Sequence, residues 1–533
     1  MPIIMFGSKS VSALARQEHQ RAEDTNTVYS LPIEESELQK IEAKLPESYN
    51  LDGQSTPGGT NNYSDYEVKF DTSGTDPENI AKRMTRARKY YVSLLISVTS
   101  VVITSISSCW SLASPHIIEH FHISHEVSVL GISLYIFGLG FGPLFLSPLS
   151  EMYGRKITFM MSLSMSIVWQ VLTVWSPTIV GMFFGRFLAG FFGSSFLSVA
   201  GGVISDIFTR QEIGIPMTIY TTSPFLGPAL GPVVSGALYG VSYKWTFIAL
   251  LIASGVCLVL IAFTVPETYQ PVLLIGKAKR MRQETGDHGY FAPLEIVRRE
   301  TNITSAVLLS TRRPFGLLLK DPMMGVLCFY TGLVLAIVYM YFVAFPYIFE
   351  TLYQFKVMEV ACCYLGLAAG MLVVSPSSLY FQYKYEEKVR RNNGIRVPEF
   401  RFDPLFYGAF AAPIGLMIFA WTCYSHVHWI GPVIGTSIFG AGVFFVFVGV
   451  FGYTVDAYRL YTASAMACNS FVRSMMSGIF PLFGLQMYKG MGINWAGFLL
   501  ATVAIVMIPI PFLFHRYGPY LRSKSPYAWD DAS

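Results

Sequence analysis

Long apolar stretches alternate with short polar connections between about residues 91 and 514. A bilayer core of about 30 Å is crossed by a helix of roughly 20 apolar residues, and twelve stretches reach that length. They cover about residues 91–113, 129–150, 157–176, 180–202, 215–237, 244–265, 323–345, 359–381, 405–425, 430–452, 464–485 and 494–514, and are numbered here as spans 1 to 12. The pattern predicts an all-α membrane protein with twelve transmembrane helices.

The long connection over 266–322 divides the twelve spans into two groups of six. We therefore predict a disordered N-terminal tail over 1–88, a six-helix bundle over 89–266, a central loop over 267–322, a second six-helix bundle over 323–515 and a short C-terminal tail over 516–533. Duplicated halves are a common plan of transporters, with the substrate site between them near the middle of the membrane.

Lysine and arginine are distributed unequally between the two sets of connections. The connections on the side of the N-terminus hold Arg155, Lys156, Arg210 and Arg459, and the longer ones over 266–322 and 382–404 hold many more. The opposite connections hold only Lys244, Lys356 and Lys489. Because basic residues favour the cytoplasmic side of a membrane, both termini and the central loop are predicted to be cytoplasmic.

The composition supports a membrane protein and excludes several other classes. Hydrophobic residues make up 52% of the 533 residues and charged residues only 14%, whereas soluble domains carry about 25% charged residues. A net charge of +4, spread over separate connections, argues against a nucleic-acid partner. The seven cysteines lack metal-ligand spacing, and neither a nucleotide-binding nor an enzyme signature is present. We predict no cofactor, no metal site and no catalytic residue.

Two arginines lie inside apolar spans, Arg186 in span 4 and Arg473 near the middle of span 11. An arginine at that depth costs at least about 2.5–3.5 kcal/mol, so each is expected to face the protein interior. Arg186 is predicted to be functional, with a structural hydrogen-bonding role as the alternative. Arg473 could contact backbone carbonyls or a substrate anion, or take part in a gate, and the sequence favours structural support.

Glycine and proline alternate in span 5, at Gly227, Pro228, Gly231, Pro232 and Gly236. The prolines remove backbone hydrogen bonds and are predicted to kink the helix, and the glycines permit close packing. Ordinary glycine and proline enrichment in membrane helices is the alternative. Aromatic residues that could line a cavity for flat or cationic ligands, or instead face lipid, are Trp110, Tyr220, Tyr330, Tyr339 and Phe342.

Between spans 2 and 3 the apolar pattern is interrupted by PLSEMYGRK (148–156). A loop that only fixes membrane orientation would explain its basic residues. A gate would need the same residues for another reason, because its charges must break and re-form pairs as two halves of a transporter move.

This stretch and the six-plus-six pattern resemble the major facilitator superfamily, whose motif here is Gly-x-x-x-Asp-Arg-x-Gly-Arg-Arg/Lys. Ser147 stands at the first glycine, Glu151 at the aspartate and Met152 at the first arginine, whereas Gly154, Arg155 and Lys156 match the motif. The resemblance implies that Glu151, Gly154, Arg155 and Lys156 form a gate, with Asp206 at the end of span 4 as the partner of a basic residue. A degenerate second copy is expected around 377–391.

The resemblance also implies that Arg186 takes part in proton transfer and that the span 5 motif marks an exporter. The stretches DPENI (76–80), PETYQPVLLIGKAKRMR (266–282), RPFGLLLKDP (313–322) and NSFVRSMMSGIFPLFGLQMY (469–488) resemble fungal twelve-spanner drug:proton antiporters, near the polyamine exporters. No carboxylate lies inside spans 1, 4 or 5, so the proton carrier is not identified, with Asp206 and Glu267 as candidates at the span edges.

The function implied is proton-coupled export of hydrophobic or cationic small molecules by alternating access. The partners expected are a small-molecule substrate, protons and the lipid bilayer, and the protein is expected to be a monomer in the plasma membrane or, alternatively, the vacuolar membrane. Export of a polyamine or another organic cation stays open. Uptake of a sugar-type nutrient and a non-transporting membrane sensor are less favoured, because the second half has few polar cavity residues and neither tail looks like a folded domain.

Overall fold

The computed structural model describes residues 66–70, 79–209, 212–300 and 303–528. Within these ranges the chain is built of helices, and its one β-type pairing is an isolated bridge between Glu67 and Phe291. Most of the predicted tail over 1–88, together with Arg210, lies outside the described residues.

Helices are present at all twelve predicted spans, so the predicted fold class is confirmed. The first six are span 1 (Arg86–Ser108 and Trp110–Phe121), span 2 (His125–Tyr153), span 3 (Arg155–Trp175), span 4 (Ile179–Gly193, Ser195–Ser198 and Ala200–Ile207), span 5 (Gly214–Leu238) and span 6 (Tyr243–Thr264). The other six are span 7 (Pro322–Tyr353), span 8 (Val357–Cys363 and Leu365–Val374), span 9 (Phe402–Thr422), span 10 (Ile430–Ala457), span 11 (Thr462–Met491) and span 12 (Ile493–Val506 and Pro509–Ser523). Helix Ser377–Arg391 continues span 8, and the short helix Ile80–Arg83 precedes span 1.

Side-chain caps fix where several of these helices begin. Ser124 accepts a hydrogen bond from the backbone N–H of Val127 at 3.3 Å before span 2, and Thr178 accepts one from Gly181 at 3.3 Å before span 4. Asp321 accepts one at 3.0 Å from the backbone at the start of span 7. These side chains satisfy N–H groups that the first helical turn leaves unpaired, so the polar residues between spans set the helix boundaries.

Among the residues that the structure describes, ten helices are long and apolar enough to cross a membrane by length and composition alone. The helices of spans 5 and 11, of 25 and 30 residues, are not among the ten. Both contain several glycine, serine and proline residues, which lower their mean hydropathy. They lie where the two groups of six spans meet, since span 5 contacts span 8 and span 11 contacts span 2. Small residues there permit close helix packing.

The two groups of spans touch at several levels. Between spans 2 and 11, the rings of Phe141 and Phe471 lie 5.2 Å apart, and a Cβ on Gly140 would lie only 2.7 Å from Ser474. Further interactions join span 1 to span 7 and span 5 to the end of span 8; they are Ser107 Oγ to Tyr339 Oη at 3.0 Å, and Thr218 Oγ1 to Ser378 Oγ at 2.7 Å.

The central loop contains three helices, Gln270–Thr285, Pro293–Glu300 and Ile303–Lys320. The last of these packs against spans 2, 7 and 11. The segment over 66–70 lies against the first two, with Val68 buried next to Ala278 and Ala292. The end of the molecule that carries the central loop is called the loop end below, and the opposite end is called the far end.

Candidate functional site

The loop between spans 2 and 3 (loop 2–3) turns at a single glycine. Gly154 has φ +103° and ψ 164°, a conformation that residues with a side chain rarely adopt. Arg155 follows it and donates from Nε to Asp206 Oδ2 at 3.3 Å, at the end of span 4. Its Nη1 donates to Ser150 Oγ at 2.9 Å, in the last turn of span 2. Arg155 therefore joins the ends of spans 2, 3 and 4, and the expected pairing with Asp206 is present.

The carboxylate of Glu267 caps the beginning of span 3. It accepts hydrogen bonds from the backbone N–H groups of Arg155 at 2.9 Å and Lys156 at 3.1 Å. It also accepts those of Thr268 and Tyr269, each at 2.9 Å. A negative charge is stabilising at a helix N-terminus because the unpaired N–H groups there carry partial positive charge. Glu267 was expected only as an edge candidate for proton transfer, and its position 112 residues after Arg155 gives no local signal of this contact.

Met152, which stands where the family motif has an arginine, is buried. It is 2% exposed and packs with Tyr269 and Leu294 of the central loop. Arg298, also from the central loop, donates from Nε to the backbone carbonyl of Met152 at 2.8 Å, and its guanidinium lies 5.7 Å from the ring centre of Tyr153. A cation from the central loop therefore stands beside the position that lacks the motif arginine. The sequence of loop 2–3 alone gives no indication of this contact with Arg298.

Introducing the family's arginine at residue 152 is expected to release the central loop from loop 2–3. Met152→Arg would place a charge in an apolar cluster beside Arg298, and an unpaired buried charge is strongly unfavourable. Limited trypsin digestion of the purified protein should then cut faster between residues 270 and 300. Met152→Leu keeps volume and polarity and should digest at the original rate, whereas equal rates for both variants would contradict this role of Met152.

The other two charged side chains of loop 2–3 make no hydrogen bond within the described part of the chain. They are the carboxylate of Glu151 and the ammonium group of Lys156. Glu151 lies within electrostatic range of Arg155 and of Arg313, which is on helix Ile303–Lys320. Because that helix packs against spans 2 and 11, Glu151 lies near the place where the two halves meet.

The second half contains a similar ion pair at its own loop end. Arg401, directly before span 9, donates from Nε to Asp456 Oδ2 at 2.8 Å, at the end of span 10. Tyr385 donates to the same oxygen at 2.8 Å, and the guanidinium lies 3.5 Å from the centre of its ring. Arg401 also donates to Gln382 at 2.8 Å. The degenerate stretch over 377–391 therefore does take part in a charged cluster, but the arginine lies outside it.

The two arginine–aspartate pairs share a local sequence. A glycine precedes each aspartate by four residues, in GVISD (202–206) and GYTVD (452–456). A Cβ on Gly202 would lie 3.0 Å from Arg155, and a Cβ on Gly452 would lie 3.0 Å from Arg401. Each glycine therefore makes room for its arginine. This repeated pattern is the sequence signal that could have identified Asp456.

Arg186 of span 4 has a hydrogen-bond partner on each guanidinium nitrogen. It is 1% exposed, and it donates to the backbone carbonyls of Gly131 at 2.9 Å, Ile106 at 2.7 Å and Ser107 at 3.1 Å. Its guanidinium also lies 4.6 Å from the ring centre of Tyr135. It therefore connects spans 1, 2 and 4. This geometry favours the structural alternative, and the proton-transfer role stays a prediction.

The glycines of the span 5 motif lie directly against span 1. A Cβ on Gly227 would lie 2.6 Å from the carbonyl oxygen of Val101, and a Cβ on Gly231 would lie 3.0 Å from the backbone nitrogen of Cys109. Gly236 faces span 8, where Ala361 is the nearest side chain. Pro228 and Pro232 are buried within a helix that continues from Gly214 to Leu238. The motif therefore positions span 5 between span 1 of its own half and span 8 of the other.

Arg473 of span 11 differs from Arg186 because it has no hydrogen-bond or ion-pair partner among the described residues, and its Nε is buried. Its guanidinium lies over the rings of Phe447 and Phe451 of span 10, at 5.4 and 5.5 Å from their centres. Arg473 donates no side-chain hydrogen bond to a backbone carbonyl of the described residues, and the structural role that the sequence favoured stays a prediction.

The five aromatic residues considered for a cavity are all buried, but they lie in different places. Tyr220 and Tyr339 lie within electrostatic range of Arg473. Phe342 packs on Tyr339 with ring centres 5.2 Å apart. Trp110 instead lies in the first half, 5.1 Å from the guanidinium of Arg186. Tyr330 is buried within span 7.

No group of three or more His, Cys, Asp or Glu side chains that could hold a metal ion occurs in the ranges that the structure describes. The site consists of two charged clusters at the loop end and two buried arginines deeper in the spans. Such groups can hold the helices within each half in a defined arrangement and can bind a charged ligand.

The family profile and the relatives found by comparison with known proteins agree on one family. The profile of the Major Facilitator Superfamily matches residues 95–481. A probable drug/proton antiporter of Saccharomyces cerevisiae is 64% identical over 499 residues, which cover 94% of this chain and 95% of that protein. An efflux pump of Aspergillus terreus is 42% identical and covers 73% of this chain and 83% of that protein. A major facilitator superfamily multidrug transporter of Aspergillus fumigatus is 34% identical, over 87% of this chain and 76% of that protein.

A solved structure has the same fold. The proton:xylose symporter XylE, bound to 6-bromo-6-deoxy-D-glucose, superposes with a TM-score of 0.56 over 82% of this chain and 97% of its own. The sequence identity is 13%, so the similarity concerns the fold alone.

Proposed function

The chain belongs to the Major Facilitator Superfamily, and from that premise we propose that it is a proton-coupled exporter of hydrophobic or cationic small molecules, drugs included. It works by alternating access and acts as a carrier, not as an enzyme. The observation that carries this proposal is the 64% identity, over 94% of the chain, to a protein described as a probable drug/proton antiporter.

The loop end supplies the gate. The pairs Arg155–Asp206 and Arg401–Asp456 lie at equivalent places in the two halves. Both are partly buried, with arginine side chains 13% and 25% exposed and aspartates 17% and 10% exposed. Such pairs are costly to break without a replacement partner, so they stabilise one arrangement of the helix ends. Their separation and re-formation accompany the movement of the halves.

The interior of the spans favours hydrophobic substrates over polycations. In the described spans every aspartate and glutamate lies in the first or last turn of its helix, as Glu151, Asp206, Glu350 and Asp456 illustrate. A polyamine would need carboxylates near the middle of the membrane to compensate its charges. Polyamine export therefore stays the second candidate.

The loop end faces the cytoplasm, and the protein is a monomer in the plasma membrane. The excess of lysine and arginine in the connections at this end supports that orientation. A vacuolar location is the alternative. The protein would then move the same substrates from the cytosol into the vacuole.

Efflux of a preloaded neutral hydrophobic dye, Nile red, tests the proposal. Cells that produce the protein should lose the dye faster than cells carrying an empty vector, and a proton ionophore should remove the difference. Efflux that persists after the pH gradient has collapsed would exclude proton coupling. Faster dye entry in place of efflux would favour the uptake alternative.

A further inference from the structure

The guanidinium of Arg473 is a buried charge without a partner in the described part of the chain. Arg473 is 9% exposed, its Nε is inaccessible to solvent, and none of its guanidinium nitrogens donates a hydrogen bond to a described residue. Buried polar groups in proteins are paired in the great majority of cases, and an unpaired charge is the costliest exception. A partner that is not part of the described chain is therefore expected at this guanidinium.

Aromatic rings from both halves surround this position. Phe447 and Phe451 of span 10 lie under the guanidinium. Phe225 of span 5, from the other half, packs on Phe447 with ring centres 4.4 Å apart. Arg473 therefore lies where the halves meet, and a ligand bound there would contact flat apolar surfaces next to a positive charge.

One further polar atom near Arg473 has no hydrogen-bond partner among the described residues. Asn469, one turn earlier on span 11, is 1% exposed and donates from Nδ2 to Thr331 at 2.8 Å, but its Oδ1 is buried and accepts no hydrogen bond. Residues four apart lie on the same side of a helix. Tyr220 and Tyr339, in contrast, already use their hydroxyl groups in hydrogen bonds to Leu197 and Ser107.

The charge at this position is not compensated nearby. Carboxylates in the described spans lie at helix ends, and the other deep cation, Arg186, has one hydrogen-bond acceptor for each guanidinium nitrogen in the first half. A cationic ligand at Arg473 would be repelled, whereas an anionic group would provide the missing acceptor. Guanidinium groups bind carboxylates with two parallel hydrogen bonds, a strong and geometrically specific interaction.

We propose that Arg473 binds the acidic group of the transported molecule, and that this molecule is an amphipathic organic monoanion such as an aryl carboxylate. Its ring system packs on Phe225, Phe447 and Phe451, and a hydroxyl or N–H group beside the acid donates to Asn469. This inference rests on the proposed function, because it assigns a substrate class to the carrier's central site. Among the hydrophobic substrates considered above, it selects those that carry an acid.

Three probes with the same ring system and different charge test this inference. Binding of 2-naphthoate, 2-naphthylmethanol and 2-naphthylmethylammonium to the purified full-length chain in nanodiscs is measured by fluorescence quenching. We expect 2-naphthoate to bind about tenfold more tightly than either other probe, which is a typical gain for a charge-assisted hydrogen-bonded pair. If the unmodified protein bound all three probes equally, or bound the ammonium probe most tightly, the inference would be overturned.

Substitutions then locate the effect. Arg473→Gln should abolish the preference for 2-naphthoate, and Arg473→Lys should retain part of it, because lysine keeps the charge but cannot form two parallel bonds. Lys489→Gln removes one exposed positive charge from the same helix and should leave the preference unchanged. A preference that survives Arg473→Gln would overturn the assignment.

The dye experiment and the probe experiment can fail separately. Proton-dependent Nile red efflux without any preference for 2-naphthoate would refute the acidic site and leave the proposed exporter standing. A preference for 2-naphthoate that depends on Arg473, in a protein that moves neither dye nor 2-naphthoate under a pH gradient, would support the site and refute the exporter.

Discussion

Arg186→Met is expected to lower the melting temperature of the purified protein by about 5 °C or more. The guanidinium of Arg186 donates to three carbonyls in two other spans, and each hydrogen bond from a charged donor contributes about 1.5–3 kcal/mol. Two of the acceptors, Ile106 and Ser107, lie in the last turn of the first helix segment of span 1, where carbonyls lack partners within their own segment. Methionine fills similar volume but satisfies none of them.

Arg473→Met provides the matched control for this expectation. It also removes a buried guanidinium from a membrane span, but no hydrogen bond is lost because Arg473 has no hydrogen-bond partner among the described residues. Removing an uncompensated buried charge should leave the melting temperature unchanged or raise it. An equal decrease for both variants would show that any deep arginine is needed for folding, and would contradict the distinction between them.

Arg186→Lys separates stability from proton transfer. Lysine keeps the charge but cannot reach three carbonyls in a fork, so a moderate decrease in melting temperature is expected. If transport per folded molecule is then normal, the role of Arg186 is structural. If the folded protein transports its substrate but has lost dependence on the pH gradient, the proton-transfer prediction is supported.

The two arginines show what the sequence could and could not predict. The hydrophobic pattern identified both as buried, because an arginine between apolar residues is a local signal. Whether each is hydrogen-bonded depends on carbonyls 79 and 80 residues earlier in the chain for Arg186, and on the absence of such partners for Arg473. Those distances along the chain carry no periodic signal. For Arg186 the contacts favour the structural alternative, and the expected roles of both arginines stay predictions.

The loop end shows the same limit. The pairing of a basic residue with Asp206 could be expected from the family resemblance, and it is present at 3.3 Å. The capping by Glu267 and the contact of Arg298 with Met152 join residues 112 and 146 positions apart, and the central loop was expected only as a connection. Asp456 could have been found from the repeated glycine–aspartate spacing in GVISD and GYTVD, because the spacing reflects the room that an arginine needs.

These contacts explain why a motif with an imperfect sequence can still organise loop 2–3. Met152 loses the motif's positive charge but gains an apolar contact with Tyr269 and Leu294. Arg298 brings a guanidinium to the same place from the central loop. The central loop therefore contributes a guanidinium and apolar contacts to the structure around loop 2–3. A change in the central loop is therefore expected to alter the conformation of loop 2–3 through these residues.

Gly154→Ala is expected to reduce transport about tenfold or more while the protein still inserts and folds. The φ and ψ of Gly154 lie in a region that is accessible essentially to glycine alone, at a cost of about 1–3 kcal/mol for other residues. In addition, a Cβ there would lie 2.8 Å from Cδ of Glu267, so the carboxylate that caps span 3 must move. Together the two effects reach or exceed the 1.4 kcal/mol that corresponds to a tenfold change.

Dye efflux per molecule at the surface measures this effect. One further variant tests the contribution of the Glu267 charge, and another is a control for the added methyl group. Glu267→Gln keeps the backbone conformation but removes the charge that accepts from Arg155 and Lys156, so it should reproduce part of the loss. Gly255→Ala, in span 6, adds a methyl group where no atom lies within 4 Å, and it should transport normally. Because Gly154 lies at the junction of spans 2 and 3, normal efflux by Gly154→Ala would mean that this turn can relax without disturbing the gate, and the proposed role of loop 2–3 would have to be abandoned.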